Sequence, residues 1–563
     1  MTDAEDLPAS FAKPLFCGEI HEDLVFPYPR QDADDARKVD SLLGSLDEAT
    51  ADYDPRAVEE AGWLGDEFLA DLGQRGLLGL TVPEEYGGQG LSQTGYARVA
   101  EQFGVIDATL AVVMGVHQSI GTKPLLLYGT DAQKQRWLPD LAAGRKLAAF
   151  ALTEPNAGSD AYHLETWAER QSDGSWRLDG EKRYIGNGSK DLLTVFARSD
   201  EGHVAFLVEG GSEGLIVGDR YDTMGLRGND LRHLRFDNLR VPAGHMLGEP
   251  GDGFHVATET LNTGRLSLGT GAVGATKKML GLVIDHVHER EQFGQPLADF
   301  ELVEEKISWM ATHLFGLESL SYLATGMVDA GVEDVSLESA MAKISGTEFI
   351  WYAANRVFQL AGGVAYMRDQ PYEKILRDIR IFPIFEGAND VLRAFVALSG
   401  LKSLGDELED LASLDLRRPI ASLGVVTEYT LGRIERTVRP DRITKAHAEL
   451  AELSDPITDQ VQRLRDVSTG LLREHGEDIK FRQWHQKRLA HAAMDIYGQV
   501  ATLSRITQVF DDQGLDASSP ERYIAETFCR RAHGRVMANL DHVEHNDDDR
   551  MHAIARIAYR DAR

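Results

Sequence analysis

The stretch IFEGANDVLRAF, residues 384–395, sets one carboxylate, Glu386, between Phe385 and Gly387 at the end of an apolar run, just where helical periodicity begins. A buried or half-buried carboxylate is costly unless it is paired or held protonated, so this position asks for a chemical reason. Two other stretches carry groups suited to a bound cofactor. Residues 150–161, FALTEPNAGSDA, join a short apolar run to the hydroxyls of Thr153 and Ser159 and to Gly158, which permits close backbone approach. Such a loop either wraps a polar heterocycle or phosphate or is an Asn-Ala-Gly-Ser turn leaving a strand. Residues 180–188, GEKRYIGNG, offer the ring of Tyr184 as a stacking face with glycines that clear space for it.

Two tempting patterns fail on context. Gly269, Gly271 and Gly274 satisfy G-x-G-x-x-G. That dinucleotide fingerprint needs a preceding strand and a βαβ unit, whereas helical sequence flanks it here, so glycine-mediated helix packing is the better reading. The segment HEREQFG has His288 and Arg290 but lacks the second histidine of a helical zinc site, so no metal is expected.

The elements that must position these groups follow from length and texture. A chain of 563 residues exceeds one hydrophobic core and predicts several domains. After an N-terminal arm, 1–55, residues 56–150 show helical spacing of apolar side chains, with DAQKQRWLPDLAAG opening on an Asp cap. Residues 151–250 turn to short β-prone runs such as LLTVFARS and HVAFLVEG, which predict a compact antiparallel β domain. Long helical periodicity returns over 251–400 and again over 401–563. The expected fold class is mainly α with a central antiparallel β domain.

Composition bounds the partners. No run approaches the roughly 20 apolar residues of a membrane-spanning helix. The acidic N-terminus lacks the pattern of a secretory or transit segment, and the two cysteines, Cys17 and Cys529, make no disulfide framework, so a cytoplasmic location is expected. A net charge of −31 argues against nucleic acid as a partner.

Taken in order, FALTEP, KRYIGNG, HEREQFGQPL, QLAGG and IRIFPIFEGANDVLRAFVALSG resemble the acyl-CoA dehydrogenase family of flavoproteins. The resemblance is nearest to the very-long-chain branch, through SFAKPLFCGEIHEDLVFPYP near the start and RLAHAAMDIYGQVATLSR in an extra C-terminal helical domain. It implies a helical N-terminal domain, a β-barrel-like middle domain, a four-helix-bundle C-terminal domain and that additional domain. The implied activity is FAD-dependent α,β-dehydrogenation of an acyl-CoA, of long chain, to a trans-2-enoyl-CoA in fatty acid β-oxidation, with an electron-transfer flavoprotein as acceptor.

The resemblance also assigns residues. Glu386 falls at the family's catalytic base, whose pKa the apolar frame of Phe385, Ile384 and the acyl chain would raise. Gly387 falls at the substrate backbone approach, and Asn262, Arg265 and Ser159 near the CoA arm; the lesser alternative for Arg265 is a surface helix arginine. The position used as base in other branches is Gly264, so Glu386 is unopposed. Cofactor positions are Leu152, Thr153, Ser159, Tyr184, Gly186, Gln359, Gly362, Gly363, Ala388 and Asp390. Arg290, Gln292 and Phe293 match a segment that reaches the FAD of a neighbouring subunit, which implies at least a homodimer.

Departures are Tyr184 for a tryptophan, Gly186 and Ala388 for hydroxyl residues, and Ala365 for a glycine. The lost hydroxyls are each worth about 0.5–1.5 kcal/mol of cofactor binding or tuning. An acyl-CoA oxidase and a catalytically silent assembly subunit are the alternative readings. Residues 417–447 are basic in an acidic chain, with Arg417, Arg433, Arg436 and Lys445 among interspersed Leu, Ile and Val. They read either as a peripheral contact with the inner face of an anionic membrane or as a solvated connector or dimer-packing helix.

Overall fold

The computed structural model describes residues 9–407, 441–516 and 518–561. The chain divides into two compact units, one of residues 29–331 and 342–388, the other of residues 1–28, 332–341 and 389–563.

In the first unit the helices are α1 Ala33–Ala49, α2 Pro55–Ala61, α3 Asp66–Gln74, α4 Gln93–Ile106, α5 Ala108–Gly115, α6 Lys123–Tyr128, α7 Asp131–Ala142, α8 Gly253–Glu289, α9 Glu301–Asp329, the part of α10 Ser336–Ala361 from residue 342 onward, and α11 Tyr372–Ile379. Their starts are chemically marked. Asp32 accepts the amides of Asp34 and Asp35 ahead of α1, and Ser92 accepts that of Gly95 ahead of α4. The cap of α7 is Thr130 rather than Asp131: its side chain and that of Gln133 satisfy each other's backbone N–H, a reciprocal box that the Asp-cap reading overlooked. Between α5 and α6 one wide π-helical turn spans Val116–Thr122. It holds the fully buried His117, whose Nε2 faces Leu78 O and Leu141 O and whose Nδ1 accepts from Ala148 N.

Of the glycines of GTGAVG, Gly269 faces Ala342 and Ser321, while Gly271 and Gly274 lie where α4 and α8 touch. A β-carbon at Gly274 would stand 1.9 Å from Glu101 O, and one at Gly104 would stand 2.4 Å from Gly271 O. All three lie inside α8 rather than at a strand-to-helix turn, and Gly274 acts through its missing side chain.

The β domain holds β1 Ala148–Ala151, β2 Trp167–Arg170, β3 Trp176–Ile185, β4 Leu192–Ser199, β5 Gly202–Glu209, β6 Leu215–Arg220, β7 Arg232–Val241 and β8 Met246–Leu247, in the order β6-β7-β3-β2-β4-β5-β8, with β1 also on β4. Most pairings are antiparallel, β4 and β5 matching from Leu192↔Glu209 to Ser199↔Gly202. The sheet departs from a wholly antiparallel one where β1 and β2 each lie parallel to β4. Neither β1 nor β2 is joined to β4 by a hairpin, so neither is bound to run against it. Alternation along β4 and β5 sends Phe196, Ala205 and Leu207 into a core with Trp137 and Phe150, and Val195, Ala197 and Phe206 into one with Trp176 and Leu178. Two buried faces explain why these strands read as nearly continuous apolar runs.

The second unit contains α12 Asn389–Glu407, α13 Ala451–His475, α14 Gln483–Gln513, α15 Ser519–Glu544 and α16 Asp548–Asp561. Its N-terminal arm is pinned by the buried Glu338, which accepts from Ser10 Oγ, Phe11 N and Ala12 N at 3.2, 3.0 and 2.8 Å. Phe16 lies on Gly400, where any β-carbon would collide with its ring. Of the basic segment 417–447, residues 417–440 lie outside the described residues. The remainder is engaged by the arm: Asp441 accepts from Ile20 N, Thr444 donates to Glu22, and Lys445 pairs with Asp23. No helix among the described residues is long and apolar enough to cross a membrane.

Candidate active site

The chain delivers Glu386 at the end of a tight turn after α11. Glu386 has φ 55° and Gly387 φ 95°, so two successive residues sit in the left-handed region. For a non-glycine residue that backbone is uncommon and must be held by its surroundings. Two cations hold it. Lys343 of α10 donates from Nζ to Gly387 O at 2.8 Å, and Arg265 of α8 approaches Glu386 O with Nε at 3.5 Å while its Nη1 donates to Asn262 Oδ1 at 3.0 Å.

The side chain of Glu386 points to the head of a narrow cavity whose walls include Tyr96, Phe103, Gly104, Ala111, Val112, Gly115, Leu268, Gly271, Ala275, Phe382 and Phe385. Apart from a few hydroxyls and Glu386 itself, the lining is apolar or glycine. Glu386 Oε2 is sealed from solvent and has no hydrogen-bond partner among the described residues. Burial raises its carboxyl pKa to about 7, with Arg265 first and Lys343 second opposing the rise. The same burial lowers the Arg265 guanidinium to about 10, with Glu386 pulling the other way, and the pair carries opposite charges once Glu386 ionises. Gly264 belongs to this arrangement, since a β-carbon there would stand 2.8 Å from Ile120 Cγ2 and 2.9 Å from Glu386 Oε2.

The β domain assembles a second group of the expected residues. Leu152 and Thr153 leave β1 and are tied to β3: Lys182 Nζ donates to Leu152 O at 3.0 Å and Arg183 N to Thr153 O at 2.8 Å. A register irregularity between Lys182 and Ile185 breaks the β3–β7 ladder, and Tyr184 within it takes φ 59°. Such a bulge re-aims a side chain. The Tyr184 ring is 57% exposed and tilts against Tyr221 with centroids 5.1 Å apart. Gly186 packs on Val116, and the sealed Asn229 Oδ1, without a partner among the described residues, lies 3.5 Å from where a Gly186 β-carbon would stand.

Other expected residues stand apart from the cavity beside Glu386. Ser159 is exposed on its loop, and Gln359, Gly362 and Gly363 are exposed where α10 ends in a short 3-10 turn. Arg290, Gln292 and Phe293 lie at a two-stranded hairpin of Glu291–Gln292 and Gln295–Pro296, with Phe293 at φ 57° and 96% exposed. Asp390 lies in the second unit, on the first turn of α12, where it accepts from Arg393 Nη1 at 2.9 Å. Ala388 is half-buried and Ala365 is buried.

Sequence reasoning passed over Lys343 and Lys182. The signals were there: Lys343 shares a helical stripe with Ala340, Thr347 and Ile350, all buried, and Lys182 alternates in phase with Trp176 and Leu178.

With this fold and this carboxylate in view, the chain belongs to the acyl-CoA dehydrogenase family: the family's N-terminal, middle and C-terminal domain profiles match residues 46–145, 149–239 and 251–401, and the ACAD9/ACADV C-terminal domain matches residues 448–561. Among curated relatives it is similar to the very long-chain specific acyl-CoA dehydrogenase, mitochondrial, of Rattus norvegicus, with 35% identity over 95% of this chain and 84% of that one. It is also similar to the probable acyl-CoA dehydrogenase FadE10 of Mycobacterium tuberculosis, 32% identical over 96% of this chain and 86% of the other. Among solved structures, an acyl-CoA dehydrogenase complexed with FAD from Bacillus anthracis aligns with TM-score 0.80 and 27% identity over 94% of this chain and 90% of that one. The butyryl-CoA dehydrogenase of Megasphaera elsdenii aligns with TM-score 0.62 and 30% identity, over 68% of this chain and 99% of its own.

Proposed function

We propose that the protein is an FAD-dependent acyl-CoA dehydrogenase that converts long-chain acyl thioesters to trans-2-enoyl-CoA in fatty acid β-oxidation, with an electron-transfer flavoprotein as acceptor. The observation that carries this reading is the Glu386 carboxyl lining an apolar cavity, with its Oε2 sealed and without a partner among the described residues.

The β-domain residues fit FAD. An exposed aromatic face on a re-aimed strand, a glycine beside it and an orphaned amide oxygen at Asn229 make a cradle for a polar planar ring. Leu152, Thr153, Ser159, Tyr184 and Gly186 would hold its flavin side, with Gln359, Gly362 and Gly363 toward the adenosine half. When bound, FAD supplies the acceptor for the hydride that leaves Cβ.

The chain's own residues supply the rest. Glu386 removes the proton on Cα, a weakly acidic position for which a carboxylate with raised pKa is the better base. Arg265 and Lys343 fix the backbone that aims it. The Glu386 N–H, turned by the left-handed backbone, is the main-chain donor assigned to the thioester oxygen, and Gly387 keeps that approach clear. Apolar walls exclude water from the reacting carbons.

Long-chain preference is supported by the reach of the cavity. Its lining follows α8 from Gly264 to Ala275, roughly 16 Å at about 1.5 Å per residue. Glycine at 271 and alanine at 108 and 275 line the far part with little bulk.

A homodimer is supported by the exposed apolar groups of Phe293, Leu302, Tyr352, Tyr366 and Met367, which ask for cover, and Arg290 and Gln292 beside Phe293 would then reach a second copy's FAD. Anaerobic addition of acyl-CoAs of increasing length, followed by flavin absorbance, tests the whole reading. Bleaching that grows with chain length, with no peroxide formed in air, is expected; an unchanged spectrum overturns it.

A further inference from the structure

Beneath the loop that carries Leu152, Thr153 and Ser159 lies an ion pair that the proposed chemistry does not use. Lys182 of β3 and Glu154 face each other at 2.7 Å, with side chains 0% and 1% exposed. Burial alone would raise the Glu154 carboxyl; the Lys182 ammonium first, then hydrogen bonding from Thr166 and from the backbone of Glu165, overcome it and hold it below its usual value. Burial lowers Lys182 to about 8, with Glu154 opposing, so both partners are charged at neutral pH.

The pair is spent on main chain. Lys182 Nζ also donates to Leu152 O at 3.0 Å, while Glu154 accepts the backbone N–H groups of Thr166, at 3.0 Å, and of Glu165. Glu154 N donates to Ala157 O at 3.0 Å, starting the turn toward Ser159. One charged pair thus clips the loop where it leaves β1 and again where it enters β2. An apolar pair of similar volume would fill the space as well, and buried ion pairs gain little over such fillings. It would, however, leave one carbonyl and two amides without partners, which is what the charges prevent.

We propose that Lys182 and Glu154 are positioning residues that lock the flavin-contacting end of this loop, Leu152 and Thr153, to its CoA-facing part at Ser159, so that cofactor and thioester are bound by one rigid segment. The irregularity in β3 that turns Tyr184 outward begins at Lys182 itself, which ties the stacking face to the same anchor. The inference rests on FAD and acyl-CoA occupying the site as proposed above.

The test uses the full-length protein with K182M/E154Q, which removes both charges together and leaves no buried ion alone. The expected result is a folded protein whose FAD dissociation constant and acyl-CoA KM both rise, each about tenfold or more. Its flavin absorbance envelope should shift, and amides of residues 153–166 should exchange faster in the FAD-loaded form, while kcat at saturation changes less than KM. If the double variant fails to fold, the FAD-loaded wild-type protein decides: the Glu165 and Thr166 amides held by Glu154 should exchange slowly and more slowly with FAD than without, and exchange at the rate of an open loop overturns the inference. Wild-type affinity, spectrum and exchange in the folded variant overturn the inference. A wild-type protein that binds no FAD would instead overturn the functional reading itself, so the two failures are distinct.

Discussion

Gly264 faces Glu386 so closely that a β-carbon on the first would stand 2.9 Å from Oε2 of the second. A glycine inside a helix ordinarily costs about 0.5–1 kcal/mol relative to alanine. Here the missing methyl leaves room for the carboxyl.

The variant G264A therefore should not gain the usual helical stability. The added methyl meets Ile120 Cγ2 at 2.8 Å as well as the carboxyl. A displacement of about 1 Å at a reacting group costs on the order of a hundredfold in rate. Stopped-flow reduction of the flavin by an acyl-CoA should slow by that order, with no rise in Tm.

Substitution E386Q removes the base and keeps the shape. Flavin bleaching should slow by about 10²–10⁴-fold or more while FAD remains bound. Rates close to wild type would place the base elsewhere.

The raised pKa of Glu386 gives two pH dependences. The base must be ionised, so kcat/KM should climb with pH and level off above about 7. Stability runs the other way: the folded carboxyl holds its proton more tightly than the unfolded one. Its contribution is complete below the ordinary carboxylate value and is lost as pH rises through about 7. The cofactor-free E386Q protein should therefore gain in Tm relative to wild type between pH 5 and pH 8, as differential scanning would show.

Cavity reach should respond to Gly271, where a β-carbon would meet nothing within 4 Å. G271L sends a side chain into the cavity from a β-carbon that meets no neighbour. Losing burial of about four methylenes, at ~0.8 kcal/mol each, lowers kcat/KM for the longest acyl-CoAs by about two orders of magnitude. Shorter substrates should be spared, and a series of chain lengths measures the shift.

In the second unit, E338A leaves Ser10 Oγ and the amides of Phe11 and Ala12 without their acceptor. The cost should be about 2 kcal/mol or more. Limited proteolysis should then cut within the N-terminal arm before any other site.

How far the sequence spoke depends on whether a residue's neighbours lie near it in the chain. The alternation of β4 and β5, the helical spacing of α8 and the apolar run before Glu386 are local patterns and were readable. Arg265 was ambiguous because one helical arginine looks the same facing water or facing Glu386; only α8 packed against the turn after α11 decides it. Lys343 and Lys182 were passed over because a lysine reads as solvated until the phase of its helix or strand is weighed against its type. The left-handed backbone at Tyr184, Phe293 and Glu386 had no mark at all, since none of these residue types favours it.

The wide turn Val116–Thr122 touches several layers at once: His117 binds Leu78 O, Leu141 O and Ala148 N, Val116 packs on Gly186, and Ile120 lies beside Gly264. A turn of this kind holds one residue more than its α-helical counterpart. Deleting that residue would rotate everything after it by about 100°, carrying Ile120 off α8 and leaving His117 facing the wrong carbonyls. This segment is thus a reading frame written in three dimensions: it can tolerate exchange of side chains far better than any change in their number.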